Sequence, residues 1–191
     1  MTDVPVFHTL ETARLRLRRF IDADMPALLA YRNDPEVARY QSWETITESD
    51  ARAFIIDQVD LQPGTPGSWF QFAIALKTTD ALIGDCMLHV NDDDRPQGEI
   101  GYTLARAHQG QGYATEAIRA VLAYAFETLA LHRVTATADC RNAPSFRLLE
   151  RVGMRREGHF LQHAWYKGEW CDEYLYAILH SEWRGERSDV G

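Results

Sequence analysis

The chain has 191 residues, 46% of them hydrophobic and 25% charged, enough to bury one substantial core and short of two. Its 28 acidic side chains outnumber 20 basic ones and leave a formal net charge of −8; nucleic acid is thereby disfavoured, since phosphate backbones need concentrated Lys and Arg, and a cationic partner is favoured. No stretch reaches the roughly 18 apolar residues of a membrane span, and the opening MTDVPVFHTLETARL lacks the basic start and apolar run of a secretion signal, so a cytoplasmic protein without a membrane partner is expected.

After a short loose start, residues 13–20 alternate Leu15 and Leu17 with Arg14, Arg16 and Arg18, the period of a half-buried strand with its arginines facing out. Asp22 or Asp24 can cap a helix with the apolar stripe Met25, Leu28 and Leu29, and Asp34 before Pro35 starts a short turn. Thr47 and Asp50 resemble a capping box that opens a helix burying Phe54 and Ile55, with Val59 at its end. Residues 61–68, rich in Pro and Gly, form a loop. Strands follow at 69–76, 82–90 and 99–104, an antiparallel meander. Ile118, Val121, Leu122, Ala125, Phe126 and Leu129 then recur at helical spacing, Val134, Ala136 and Ala138 alternate as a strand, and a short helix at 146–152 stops at Gly153. Closing strands at 154–161 and 172–179 flank a turn at Lys167 and Gly168. The class is α+β around one mixed, mostly antiparallel sheet, in a single domain over 1–191 ordered from about 10 to 182 with short loose termini. Cys86, Cys140 and Cys171 read as buried thiols, and Cys and His do not gather at zinc-ligand spacing, so no metal is expected.

The chemically informative stretch is HQGQGYATE, residues 108–116, between a strand and the long helix. Gly110 and Gly112 permit backbone conformations closed to other residues and leave no side chain in front of their amides. A helix N-terminus offers unpartnered amide hydrogens and the positive end of a dipole, so this turn suits a phosphate or pyrophosphate, with Thr115 adding a hydroxyl. Each such interaction is worth about 0.3 to 1 kcal/mol when exposed, so several amides must act together. Two glycines before a helix also fit a plain strand-to-helix connection. GxGxxG is missing, since Tyr113, Ala114 and Thr115 follow Gly112, and no lysine follows to make a P-loop.

Gln109, Gly112 and Ala114 fit the QxxGxG/A signature of the GNAT N-acetyltransferase superfamily, with Glu116 following as in the run GYATEA. Asn142, Ser145 and Gly153 in RNAPSFRLLERVGMRREG, the opening TARLRLRRF, NDPEVARY at 33–40 and GEIGYTL before the loop resemble the RimJ/RimL-type branch of ribosomal-protein N-terminal acetyltransferases. The resemblance spans nearly the whole chain and is specific for acyl-CoA, not for the acceptor. It implies a GNAT fold with a seven-stranded sheet, about four flanking helices, and fourth and fifth strands that splay apart around acetyl-CoA. The pyrophosphate would lie on the amides of Gly110, Gln111, Gly112, Tyr113, Ala114 and Thr115 beside Gln109. The pantetheine arm would run along Ile100, Gly101 and Tyr102 and against Asn142 and Ser145, satisfying strand groups that would otherwise lack partners.

Amine acetylation needs a neutral amine at the thioester, a base for its proton and a group to stabilise the departing thiolate. Glu99 resembles the carboxylate that many relatives use as base, worth roughly a hundred- to ten-thousandfold; a solvated glutamate at a strand start is the plain alternative. The resemblance puts Asn142 on the pantetheine arm and the Ser145 hydroxyl near the thiol, while either residue also fits a helix cap. Many relatives carry a tyrosine acid seven residues after this asparagine; Leu149 stands there, so Ser145, another tyrosine or a water must serve. Tyr102 and Tyr113 also read as packing residues. Tyr40, Trp43, Trp69, His89 and Trp165 fall in segments that border the acceptor cleft in the resembling fold, and each also fits core or rim packing. The expected activity is acetyl-CoA-dependent N-acetylation of a protein or peptide N-terminus or a small amine, by a monomer or homodimer. The alternative, motivated by Leu149, is an acyl-CoA sensor that has lost catalysis.

Overall fold

The computed structural model of the chain describes residues 7–93 and 95–183; of the loose ends expected before about 10 and after 182, residues 1–6 and 184–191 lie outside the described residues. Alternation in sequence becomes alternation of faces. In β2 (Leu15–Arg18) both leucines are fully buried, and β2 pairs antiparallel with β1 (Leu10–Glu11) and with β3 (Trp69–Leu76). β4 (Leu82–Val90) and β5 (Gln97–Leu104) continue the antiparallel meander. β6 (Arg133–Asp139) joins β5 in parallel, and β8 (Glu169–Leu179) lies between β6 and the edge strand β7 (Arg155–Tyr166). Among the described residues the sheet thus has eight strands, in the order β1-β2-β3-β4-β5-β6-β8-β7. The one beyond the expected seven is β1, whose two residues are too few to show a period.

Among the described residues five bounded α-helices flank the sheet, where about four were expected, and a further helical turn begins at residue 180. α1 (Met25–Arg32), α2 (Pro35–Ala38) and α3 (Glu48–Asp57) cover one face, where Phe20, Leu28, Tyr31 and Ile55 close on Ala73. α4 (Tyr113–Ala123), prolonged by a π turn over Tyr124–Thr128, and α5 (Ala143–Arg151) cover the other, burying Ile118, Val121 and Leu149 against Phe70, Phe72 and Ile74. The capping box holds: Asp50 N donates to Thr47 Oγ1 at 3.2 Å and Thr47 N to Asp50 Oδ2 at 2.8 Å. Asp34 accepts from Glu36 N at 3.0 Å, and the turn foreseen there is the four-residue α2.

Three local expectations fail for tertiary reasons. Asp24 sits at the N-cap of α1 but makes no cap bond, because Arg18 takes both carboxylate oxygens at 2.7 and 2.9 Å. That pairing draws Arg18 inward, to 12% side-chain exposure, where an outward arginine was expected. Val59 lies past the end of α3 and is exposed. Of the free thiols, Cys86 and Cys171 are buried and Cys140 is half-buried. Among the described residues no helix is long and apolar enough to cross a membrane.

The feature that makes a site is the parting of β5 from β6. They pair only at Gln97–Arg133, Gly98–Val134 and Glu99–Thr135. β5 stays on β4 as far as Leu104–Gly84, and β6 stays on β8 as far as Asp139–Glu173. Each strand follows its own neighbour, and a wedge opens between residues 100–104 and 136–139. This is the splayed pair foreseen as fourth and fifth, shifted by one through β1.

Candidate active site

The wedge opens into a cleft of about 1190 Å³, lined on the strand side by Glu99, Ile100, Gly101 and Tyr102 and on the helix side by Asn142 and Ser145. Gln109, Gly110, Gly112, Tyr113, Ala114 and Thr115 line it too, so sequence positions far apart converge on one space. Gln111 does not line it; its side chain donates to Ala107 O at 2.9 Å and its carbonyl accepts from Arg14 Nη1 at 2.9 Å. The Gln109 amide donates to Leu104 O at 2.9 Å, tying the loop to the end of β5.

Gly110 and Gly112 have φ of 72° and 81°, the left-handed region, and Gly112 is the N-cap of α4 without a side-chain cap bond. The first bond of the helix runs from Glu116 N to Gly112 O at 3.0 Å, so the amides of Tyr113, Ala114 and Thr115 find no partner within the helix. They face a cleft whose rim also carries Arg106, Arg147 and Arg151, the last donating to Thr115 Oγ1 at 3.2 Å. Amides of this kind, the positive helix end and a cationic rim are what a diphosphate requires, and the unpaired edges of β5 and β6 offer partners to an amide-bearing chain.

Asn142 is the N-cap of α5, accepting from Ser145 N at 3.3 Å, so the capping role and the cleft position coexist. The hydroxyl of Tyr102, on β5, lies 2.9 Å from Ser145 Oγ and donates to Ser145 O at 2.9 Å. Burial pushes the Tyr102 phenol up to about 12 despite the opposing pull of the Ser145 bond. Leu149 is fully buried in the core under α5 and plays no part in the cleft. Tyr113 lies under the Arg14 guanidinium, 4.3 Å from its ring centroid.

Glu99 is half-buried at the apex of the wedge. Burial raises its pKa above the ordinary glutamate value, and the nearby charge of Glu173 raises it further. Strand register places Glu99 opposite Thr135 and Asp139 opposite Glu173, so these side chains share one face of the splayed pair. Asp139 and Glu173 are both buried; Arg141 neutralises Asp139 at 2.7 Å, and the more exposed His163 pairs with Glu173 at 2.7 Å through Nδ1. His159 and His163 do stand at HxxxH spacing, contrary to the expectation that no histidines are so placed, but they lie on a strand, and His159 faces a different carboxylate, Asp172, at 3.5 Å.

Of the acceptor-side aromatics only Tyr40 lines the cleft. Trp43 donates its indole N–H to Arg32 O at 3.2 Å and covers that guanidinium. Trp69 lies against His89, 4.2 Å between ring centroids, and Trp165 packs edge-on against Trp170 at the surface. Among the cleft residues missed are Glu173, Asp139, Tyr166 and the rim arginines. Nothing in their spacing marks them, apart from the alternation that puts Glu173 inward on β8. The loop over 61–68 packs beside the end of α4, Tyr124 Oη donating to Pro63 O at 3.2 Å, and does not line the cleft.

Residues 14–155 match a family model described as an acetyltransferase (GNAT) domain. The chain is 37% identical over 174 residues, 91% of its length and 98% of the other, to the uncharacterized N-acetyltransferase YnaD of Bacillus subtilis (strain 168). Among solved structures it is similar to a GNAT-family acetyltransferase from Bacillus anthracis, with a TM-score of 0.82 and 34% identity over 91% of this chain and 99% of that one. It shares its fold with a spermidine N-acetyltransferase from Vibrio cholerae in complex with CoA and spermine, at a TM-score of 0.78 and 22% identity over 91% and 99% of the two chains.

Proposed function

The chain belongs to the GNAT acetyltransferases and takes its acyl group from acetyl-CoA, and on that premise we propose that it acetylates a primary amine with Glu99 as base and Ser145, backed by Tyr102, as donor to the leaving sulfur. The observation that carries this reading is the wedge between β5 and β6, with Glu99 at its apex and the Tyr102–Ser145 pair joining β5 to α5 across it. The acceptor is a protein or peptide N-terminus of the RimJ/RimL kind or a small amine, taken by a cytoplasmic monomer or homodimer. Its ammonium form is drawn by the acidic face of Glu99 and Glu173 and by the net charge of −8.

The residues that hold the donor would be the loop amides of Gly110, Gly112, Tyr113, Ala114 and Thr115, with the edges of Ile100, Gly101 and Tyr102 and the side chain of Asn142 along the arm. The thioester supplies the activated acetyl group. Glu99 takes the proton that the amine gives up as its nitrogen forms the new bond to carbon, a task that its raised pKa favours. As the carbon–sulfur bond breaks, the Ser145 hydroxyl donates to the sulfur. Tyr102 stays protonated at working pH and gives its one hydrogen to Ser145 O, so in the 2.9 Å contact the Ser145 hydroxyl rests with its hydrogen on Tyr102 Oη, which holds Ser145 Oγ in the cleft until that hydrogen turns to the sulfur.

Titration calorimetry with acetyl-CoA, followed by thiol release on a panel of N-terminal peptides, diamines and monoamines, tests the reading. Binding with turnover on an amine supports it. Tight binding with no turnover on any acceptor replaces it with a sensor, and no binding removes it.

A further inference from the structure

A carboxylate in the first turn favours a helix by itself, yet Glu116 stands just behind the amides that a diphosphate would use, where a bare negative charge repels the ligand. Its oxygens are fully engaged from the far end of the chain. Oε1 accepts from Thr12 Oγ1 at 2.6 Å and from Arg14 N at 2.8 Å, and Oε2 accepts from Arg14 Nε at 2.6 Å. The same guanidinium donates through Nη1 to Gln111 O at 2.9 Å and lies over the Tyr113 ring. At Gly112 a Cβ would come within 3.3 Å of Arg14 Nη2, so the glycine also makes room for this arginine. Burial works to raise the pKa of Glu116, and the bonds from Thr12 and Arg14 outweigh it, holding the carboxylate ionised below its ordinary value.

We propose that Arg14 is a positioning residue of the donor site: it cancels the charge of Glu116 and braces the loop carbonyl at Gln111, so that the amides of Gly110 and of Gly112 to Thr115 meet a diphosphate with no opposing anion behind them. The inference rests on the diphosphate site proposed above. It separates two kinds of charge at one helix end. The dipole and amides act on the ligand, and the carboxylate that stabilises the helix is masked from it.

The experiment is a cycle read by calorimetry with CoA, by KM for acetyl-CoA and by kcat. Wild-type protein binds CoA; if it does not, the site reading fails and this inference with it. Given that binding, R14Q is expected to weaken it roughly tenfold at low salt, the effect shrinking at high salt, with KM raised and kcat at saturating donor unchanged. E116Q is expected to stay within about twofold of wild type, and R14Q/E116Q to recover to within about threefold, since no charge is left to mask. R14K keeps the charge on a different shape and is expected within about threefold of wild type, which preserves the test if R14Q fails to fold. An R14Q affinity equal to wild type, a double variant no tighter than R14Q, or a tenfold loss in R14K overturns the proposal while leaving the site reading intact.

Discussion

The Tyr102 hydroxyl lies 2.9 Å from Ser145 Oγ, so a side chain of β5 reaches across the wedge to the first turn of α5. The pair joins the two walls between which the donor is proposed to lie. Leu149, at the position where many relatives carry an acidic tyrosine, is buried in the core, and Tyr102 brings a phenol to the cleft from the opposite wall.

Ser145→Ala is expected to lower kcat by a hundredfold or more, within the roughly 10²–10⁴ range of a lost proton donor, with little change in the Kd for CoA. Tyr102→Phe should cost less, about tenfold, because it removes the partner and keeps the donor. The double variant should be no slower than Ser145→Ala alone, since the two groups act as one unit. Steady-state kinetics on the four proteins check this, and independent, multiplying losses would break the pairing.

As the proposed base Glu99 would act only when ionised, so kcat/KM should rise with pH along an acidic limb whose midpoint lies above the ordinary glutamate value of 4.5. Its folded pKa is raised, so the ionised side chain costs stability above that midpoint and costs nothing below 4.5, where it is protonated in both folded and unfolded chains. Glu99→Gln should therefore lose activity and yet melt on the order of 2 °C higher at neutral pH, with the gain vanishing near pH 4. Thermal scans at two pH values together with rate profiles check both signs.

Glu173 adds to the elevation of Glu99 through like charge. Glu173→Gln should shift the acidic limb of kcat/KM toward lower pH while Glu99 remains the base. His163→Gln removes the imidazole that contacts Glu173 through Nδ1 and is expected to move the limb the other way, since the carboxylate then loses that partner. The direction of each shift in a pH–rate profile is the readout.

Gly110 and Gly112 share positive φ but not surroundings: an added Cβ meets nothing within 4 Å at Gly110 and the Arg14 guanidinium at Gly112. An L-residue costs about 1–2 kcal/mol at either site for its backbone alone. Gly112→Ala should thus destabilise more than Gly110→Ala and weaken CoA further, because it also displaces Arg14. Gly112→Glu, which sets a carboxylate before the amides, should abolish CoA binding measured by calorimetry.

Much of this molecule is written locally. The alternation of Leu15 and Leu17, the Thr47–Asp50 box, the stripe from Ile118 to Phe126 and the glycines at 110 and 112 each report their own structure, since period and turn chemistry depend on neighbours in sequence. Asn142 and Ser145 were legible as a cap and, through family likeness, as cleft residues. Tertiary structure alone decided that β5 leaves β6 after Glu99, that Tyr102 reaches Ser145, that Glu173 stands near Glu99, and that Arg14 holds Glu116 across 102 positions of sequence. It also decided that Trp43 and Trp165 pack elsewhere than the cleft. Such facts follow from strand register and from which helix covers which face, and a local pattern of apolar and polar residues fixes a face without fixing the partner set against it.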